Sequence, residues 1–369
     1  MQGAQKRFIR WRMLLAFHLA LILPAAVVTG GEFKEYHRFD AQEFVFVNVI
    51  GEVEIEQAAG SDFEIEIAVR GRDASREVIQ VRSMQEREAK VVVAFPLEEE
   101  RSYVYPRLGR QGKITITIPG DRYEEGSWLA RLLNSMSQKK LRVSGSGSGL
   151  EVWADATVKV PLGKRFVSKL SIGKIGVDNV AADLQLEIYS GSVTTRATSG
   201  ELNADTGSGG VNAYNHEGEL VVDTGSGAVS MERCRGDRII VDTGSGSVRA
   251  EDIVCRQVIV DTGSGPVSVK SLEADNGKFD TGSGEVFIQF QRVGSGDFVV
   301  DTGSGAIDLM LPRDTSATIT AETSSGFIKT HLQSFEIHEK GKHHLVLSIG
   351  DGRTRMRLET GSGSIHIHH

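Results

Sequence analysis

The chain has 369 residues, of which 42 are Gly, 7 are Pro and 7% are aromatic, and this composition favours a glycine-rich β protein over a helical one. A chain of this length can bury a sizeable core. The formal net charge is −7, which argues against a protein that binds nucleic acid or docks on anionic lipid.

Residues 1–30 have the features of an export signal. A basic segment over residues 6–12 precedes an apolar run over residues 13–28, and small residues near Gly30 suit a cleavage site. The apolar run is shorter than the roughly 20 residues that span a bilayer. We predict a cleaved signal peptide over 1–30, with an uncleaved anchor as the alternative. The predicted location is therefore the periplasm, the outer-membrane surface or the extracellular space, with no transmembrane span after cleavage.

Residues 31–120 form a predicted N-terminal β region. Phe63, Ile65 and Ile67 alternate with acidic residues, as in strands with one buried and one solvated face. We expect this region to be continuous with the β array that follows it. A separate small β domain is the alternative.

Residues 121–150 interrupt the strand pattern and are predicted to be an insertion. Leu129, Leu132, Leu133 and Met136 share one face of a short helix, and 144–149 (Ser-Gly-Ser-Gly-Ser-Gly) is typical of a flexible linker. The helix is expected to cover an open sheet edge, since open edges invite aggregation. Docking of a partner on this helix is the alternative.

Residues 151–369 are organised by a recurring five-residue motif, Asp-Thr-Gly-Ser-Gly. Weaker copies begin at Glu187, Glu322 and Glu359. The steps between successive copies are 18 to 21 residues, except for a last step of 37, as if one repeat had lost its motif. The six full copies begin at Asp205, Asp223, Asp242, Asp261, Asp280 and Asp301.

Apolar residues recur on both sides of each motif at a spacing of two, which is the period of a strand. Each unit is therefore predicted to be a strand, a Gly-Ser-Gly corner, a second strand and a return turn. Stacked units bury a common core that one unit cannot bury alone. We predict an all-β fold, a right-handed parallel β-solenoid or β-helix-like stack of rungs of about 19 residues, right-handed winding being the default for parallel crossovers.

The alternation places the Thr of each motif inward and the acid outward. We interpret the six acids as structural corners whose carboxylates accept turn N–H groups. Asp-Thr-Gly is also the local signature of aspartic proteases, but that chemistry needs two facing carboxylates that share a proton, whereas six copies in register form a row. Calcium-binding solenoids use a nine-residue repeat, half the period found here.

Two cysteines and a histidine-rich terminus are further candidate sites. Cys234 and Cys255 lie in adjacent rungs, where they form either a disulfide or two buried thiols; their offset of about two positions works against the disulfide. A catalytic thiol is not expected, because the strand pattern gives neither cysteine a neighbouring His. Four histidines are candidates for a transition-metal site, although a solvated imidazole-rich terminus is the favoured interpretation. They are His343, His344, His366 and His368.

An apolar stripe occupies outward positions of the strands that precede the corners. It consists of Val221, Ile240, Ile259 and Val299, and Lys278 interrupts it. An outward apolar stripe indicates that something packs on it. The N-terminal β region is the favoured candidate, and another subunit or a ligand is the alternative.

The strand–Thr-Gly-Ser-Gly–strand unit behind an export signal resembles the bacterial "putative adhesin" family, exported β-strand repeat proteins with a domain of unknown function. The resemblance covers about residues 40–369 and is strongest over 184–310. It implies a β-helix-like fold and a cell-envelope or surface role, and it supplies no catalytic residues. The insertion at 121–150, the long step after Glu322 and the histidine-rich end depart from the pattern.

From these features we expect a non-enzymatic exported cell-envelope protein without a cofactor. It would be an adhesin-like or scaffolding module that binds a protein or glycan partner through its repetitive surface. An envelope-stress sensor or regulatory module acting on a membrane partner is the alternative. A third alternative is a polysaccharide-active enzyme on a β-helix, but such enzymes present clustered acids and aromatic residues along a groove, and the aromatic residues here are scattered.

Overall fold

The computed structural model describes residues 31–85, 88–97, 100–117 and 140–369. The predicted signal peptide and the predicted helix around residues 129–136 lie outside these residues. Within the described ranges, no helix is both long enough and apolar enough to cross a membrane.

The N-terminal part of the chain builds the first layers of one large sheet. Strand β2 is the centre of this part, because β5 and β9 both pair with it in parallel. Antiparallel partners then extend these layers: β4 pairs with β5, β3 with β9 and β1 with β3. The elements are β1 Phe33–Phe39, β2 Glu43–Gln57, β3 Phe63–Arg70, β4 Gln80–Gln85, β5 Ala89–Ala94, β6 Ser102–Val104, a 3-10 turn Pro106–Leu108, β7 Lys113–Thr117, β8 Lys140–Ser144 and β9 Trp153–Val160.

The central part of the chain stacks parallel strands in register. Strand β10 pairs along its length with β2 on one side and β11 on the other, so the N-terminal strands and the motif array share one sheet. The predicted all-β solenoid is therefore confirmed. The strands are β10 Arg165–Ala181, β11 Asp183–Ser199, β12 Leu202–Ser208, β13 Val211–Glu217, β14 Leu220–Thr224, β15 Val229–Thr243, β16 Val248–Thr262, β17 Val267–Thr281, β18 Val286–Val293, β19 Asp297–Thr302 and β20 Ile307–Met310.

The C-terminal strands do not follow one another in the stack. Strand β25 lies between β19 and β21, and β26 lies between β20 and β22. The hairpin of β23 and β24 pairs antiparallel with the outer edge of β21. The expectation of a rung that had lost its motif was wrong, because the 37-residue step contains this hairpin. The strands are β21 Ala317–Thr323, β22 Ile328–His331, β23 Phe335–Lys340, β24 His344–Ile349, β25 Thr354–Thr360 and β26 Ile365–His368.

The strand segments form two columns, and long strands such as β15 contribute one segment to each. The A column holds the segments that lead into the corners, and the B column holds those that follow them. In spatial order the A column is β4, β5, β2, β10, β11, β12, β14, β15, β16, β17, β19, β25, β21, β24 and β23. The B column is β1, β3, β9, β2, β10, β11, β13, β15, β16, β17, β18, β20, β26 and β22.

Alternate residues of both columns face a continuous apolar core. Val222 and Val241 of the A column and Val229 and Val248 of the B column are buried, and their counterparts in other rungs repeat the pattern. Burying a side chain of this size contributes about 1.5–3 kcal/mol relative to leaving it exposed. The core therefore gains a similar contribution from each rung, as expected for a repeat protein.

The Thr of each motif joins neighbouring rungs inside the core. The hydroxyl of Thr243 accepts the Gly246 N–H at 3.0 Å and donates to the Gly227 carbonyl of the preceding rung at 3.3 Å. The hydroxyl, and not the outward acid, therefore receives the corner N–H, which corrects our expectation for the acids. The same pair of bonds occurs at Thr224, Thr262, Thr281, Thr302, Thr323 and Thr360.

The last Gly of each motif is required by close backbone approach. A Cβ at Gly246 would lie 1.7 Å from the Gly227 carbonyl oxygen of the rung before it. The second bend of the rung instead uses non-glycine residues in the left-handed conformation, including Asn215 and Arg233, both with φ of 54°. The corner therefore requires glycine, whereas the bend accepts other residues.

The predicted Gly/Ser linker differs from its expected form. Strand β8 pairs antiparallel with β7 and parallel with β6, which gives a small second sheet. Beyond β8 the Gly145 N–H donates to the Gly112 carbonyl at 2.9 Å, and the Leu150 N–H donates to the Ser102 carbonyl at 3.0 Å. The segment is thus an ordered turn packed on the 102–112 region, where Gly allows the backbones to approach closely.

Candidate binding surface

The outward side of the A column from β11 to β21, called the A face, carries two parallel rows of side chains. The first, the apolar row, contains the predicted stripe. Val221 pairs in register with Ile240, and Ile240 pairs with Ile259. The row then continues through Lys278 to Val299. The four apolar side chains are half-buried, and Lys278 is exposed.

The apolar row is not covered by the N-terminal β region, which was the favoured expectation. That region occupies earlier layers of the same stack, because β2 continues the sheet beyond β10. The strands that carry the row make their main contacts with the strands of neighbouring rungs. Within the described residues, the row therefore remains available to a partner outside the chain.

The second row of the A face is a ladder of carboxylates, called the acid ladder. Its members lie two residues after those of the apolar row, so both rows point outward from the same strands. Neighbouring strands lie about 4.8 Å apart, which sets the spacing of the ladder. In spatial order the ladder is Glu187, Asp205, Asp223, Asp242, Asp261, Asp280, Asp301, Glu359 and Glu322.

Mutual repulsion acts along the acid ladder. Partial burial, followed by the charges of Asp280 and Asp242, raises the pKa of Asp261 above its usual value. The pKa values of Asp205 and Asp301 are raised for the same two kinds of reason. The ladder is therefore a concentration of negative charge that attracts cationic groups over a distance of about 8 Å at physiological ionic strength.

Among the described residues, Lys, Arg and His side chains pair with only some members of the ladder. Lys278 Nζ lies 3.1 Å from an Asp280 carboxylate oxygen, and Lys169 Nζ lies 3.1 Å from Glu187. At the far end, Arg357 contacts Glu359, and His344 Nδ1 lies 3.1 Å from Glu322. The segment from Asp223 to Asp261 lies between these paired members, directly beside the apolar part of the first row.

Replacing Asp261 with Asn is expected to stabilise the protein at pH 7 by roughly 0.5 kcal/mol, the scale of one cross-strand charge pair. Folding raises the pKa of the Asp261 carboxyl, so its protonated form favours the folded state. This contribution is fully present below the unfolded pKa of about 3.9 and is lost as pH rises through the folded pKa. The gain should therefore be present at pH 7 and absent near pH 3. Urea unfolding at the two pH values measures it.

Asp237 is the matched control for this prediction. The Arg256 guanidinium, which donates to Asp237 Oδ1 at 2.6 Å, lowers the pKa of that carboxyl. Asp237→Asn should therefore lower the stability at pH 7, opposite in sign to Asp261→Asn. Equal effects of the two changes would show that repulsion along the ladder has no energetic role.

Both cysteines are free and buried. Cys234 pairs with Ile253, whereas Cys255 pairs with Gly236, so the two lie two positions out of register. The structure thus favours the buried-thiol alternative over the disulfide. Burial raises the pKa of Cys234 to about 11 and that of Cys255 to about 12, which keeps both thiols protonated at neutral pH.

The expectation that no His neighbours the cysteines was wrong. His216 is buried one rung before Cys234 and occupies the same inward position. It lies 18 residues earlier in the chain, and this repeat spacing could have identified it from the sequence. Its Nδ1 lies 3.0 Å from the Thr198 hydroxyl and its Nε2 lies 3.2 Å from the Glu219 carbonyl. Burial lowers the pKa of His216, so the imidazole is a neutral hydrogen-bonding group of the core.

The four candidate metal-binding histidines have separate partners. His343 Nδ1 lies 3.0 Å from the Gly326 carbonyl, and His344 lies between Glu322 and Glu339. His366 packs beside the Phe327 ring, and His368 Nε2 lies 2.7 Å from Asp308. Across the part of the chain that the structure describes, no group of three or more His, Cys, Asp or Glu residues is arranged to hold a metal ion.

Comparison with known proteins gives one family match and two matching solved structures. The family model described as Toastrack DUF4097 matches residues 45–368. A "putative cell adhesion protein" from Clostridium sporogenes is 10% identical, with 91% of this chain and 99% of that chain covered and a TM-score of 0.20. A "putative adhesin" from Bacteroides fragilis is 9% identical, with 90% and 96% covered and a TM-score of 0.32. A search of the curated proteins finds no match.

Proposed function

We propose that this chain, which belongs to the Toastrack DUF4097 family, is a non-enzymatic exported protein of the cell envelope that binds a partner through its A face. Its role would be adhesin-like or scaffolding. The proposed location is the periplasm, the outer-membrane surface or the extracellular space, consistent with the export signal expected over 1–30.

The observation that carries this proposal is the alignment of the apolar row with the acid ladder. Val221, Ile240 and Ile259 are side by side in adjacent strands, and each is two residues from an acid. Such a surface suits a protein partner that presents apolar side chains beside Lys or Arg groups. Apolar contact would supply affinity, and the carboxylates would supply orientation and a fast, salt-sensitive association.

The role of the motif in the fold supports a binding protein over an aspartic protease. The Thr that follows each acid is committed to hydrogen bonds between rungs, as at Thr243. Each acid lies in register with the acid of the next rung, so all of them project from one face of one sheet. Repetition along a surface is the arrangement that extended binding proteins use.

Affinity capture from the envelope of cells that make the protein tests the proposal. The A-face variant changes Val221, Ile240, Ile259 and Val299 to Ser. The matched B-face variant changes Asn212 and Arg249, which are outward in the B column, to Ser. We expect wild type and the B-face variant to capture the same partner. The A-face variant should bind that partner at least tenfold more weakly, which corresponds to about 1.4 kcal/mol of binding free energy.

Unfolding curves of the three proteins are needed beside the capture, because the four A-face residues are half-buried. Capture by wild type should also weaken as salt is raised from 0.05 to about 0.5 M, since the ladder acts through screened charge. Equal capture by a folded A-face variant would rule out this surface as the binding face.

A further inference from the structure

The two columns of strands end at different levels at the C-terminal end of the stack. Beyond β21 the A column continues with two more strands, β24 and β23. The B column stops at β22, whose pairing partner among the described residues is β26 alone. At the opposite end both columns extend beyond β2, by two strands in the A column and three in the B column. The C-terminal end is therefore stepped, with room for two strands beside β22.

The overhanging strand β23 presents apolar side chains without a covering layer. Phe335 and Ile337 pair with Ile349 and Leu347, which are buried, so they continue the core-facing side of the A column. Yet Phe335 is 36% exposed and Ile337 is 44% exposed. All six residues of β23 are exposed, and its outer edge is unpaired within the described chain. Open edges of this kind are usually protected in soluble proteins.

The outward side chains of the two unpaired edges have opposite charge. On β22, Lys329 pairs with outward-facing His366, and its ammonium lies 4.5 Å from the centre of the Phe327 ring, which holds it on the outer surface. On β23, Glu336 pairs with Ser348, and Glu339 lies 3.2 Å from His344, so both acids are on the outer surface. An antiparallel pair of β22 and β23 would bring Lys329 beside these acids.

We propose that a second copy of this chain covers the step, with β22 of each copy pairing antiparallel with β23 of the other. The two strands that one copy has in excess in its A column occupy the place that the other copy lacks in its B column. Because each copy supplies one β22 and one β23, the contact is isologous and closes as a dimer.

Three interactions would stabilise this dimer. The two strand pairs satisfy the backbone groups of four open edges. Phe335 and Ile337 become buried against Ile328 of the other copy, which is half-buried in the single chain. Lys329 gains the acids of β23 as partners. The A face is not used, so the dimer would carry two A faces and could bind a multivalent partner with higher avidity.

Sedimentation equilibrium of the purified full chain tests the dimer. At a concentration of about 100 µM, wild type should have twice the mass of one chain. Weak specific association has dissociation constants within this range. Ile337→Lys should raise the dissociation constant at least tenfold. Tyr36→Lys is the matched control: Tyr36 is 66% exposed on β1, the open edge at the other end, and its replacement should leave the dimer intact.

A charge exchange separates specific pairing from a general effect of the substitutions. Lys329→Glu alone and Glu336→Lys alone should each weaken the dimer several-fold. The variant with both changes should recover most of the association. The far-UV circular dichroism spectrum of each variant should match that of wild type, which shows that the chain still folds, because Ile337, Lys329 and Glu336 are exposed in the single chain. A monomeric wild type would refute the proposal, as would a dimer that is weakened by Tyr36→Lys and not by Ile337→Lys.

Discussion

Replacing Gly246 with Ala should destabilise the protein by about 3 kcal/mol or more, the upper part of the range for overpacked sites. The added Cβ would lie 1.7 Å from the Gly227 carbonyl oxygen, and contact at that distance can be relieved only if two rungs move apart. That movement also breaks the hydrogen bond of the Thr243 hydroxyl to Gly227. Urea unfolding of wild type and variant measures the loss.

Gly60→Ala is the matched control for this result. Apart from Gly60 itself and its two chain neighbours, no atom lies within 4 Å of the position that a Cβ would take there. Its effect should stay within about 0.5 kcal/mol, as for surface substitutions in general. If Gly246→Ala unfolded at the same urea concentration as Gly60→Ala, close packing at the corners would not be the reason why the motif has a glycine at this position.

Replacing Thr262 with Val should cost about 2–4 kcal/mol, because it leaves two buried backbone groups without their partner. The Thr262 hydroxyl donates to the Gly246 carbonyl and accepts the Gly265 N–H, both at 3.1 Å, and the side chain is 1% exposed. Val has nearly the same shape, so the loss reports the hydroxyl. Equilibrium unfolding in urea measures it.

Thr262→Ser separates the hydroxyl from the methyl group. Ser keeps both hydrogen bonds and loses one buried methyl, so it should cost only about 1 kcal/mol. A larger loss for Ser than for Val would mean that Thr262 matters for its methyl group, and that the bonds between rungs contribute little.

The solenoid could be predicted from the sequence because one local pattern repeats. The alternation around Val222 and Val229 fixes which side of each strand is buried, and a repeated motif transfers that register to the next rung. The outward position of Asp223 and the inward position of Thr224 follow from the same alternation. The role of the Thr hydroxyl was missed, because acid and Thr are both good acceptors for a turn N–H and only the corner geometry distinguishes them.

The order of the C-terminal rungs could not be predicted in this way. Glu322 and Glu359 carry equivalent motifs, so either rung could follow the one that contains Asp301. The choice depends on the β23–β24 hairpin, which pairs with β21 and fixes that strand on the outer side of β25. This is a contact between distant parts of the chain, and no local pattern encodes it.

The sequence also could not show that the A face is uncovered by the residues that the structure describes. The stripe from Val221 to Val299 indicates that something packs there, but strand alternation does not say what. Only the placement of β2 in the stack excludes the N-terminal β region as the covering layer. The step at the C-terminal end likewise becomes visible only when the spatial order of β22 and β23 is known.

The most direct test of the A face as the binding surface is photo-crosslinking in intact cells. A photoreactive side chain is placed at position 240 in the middle of the apolar row, or at position 230 on the outward side of the B column. We expect a discrete crosslinked partner from position 240 and none from position 230. The yield from position 240 should fall when the neighbouring acids Asp223 and Asp242 are changed to Asn. Crosslinking from position 230 alone would place the binding surface elsewhere.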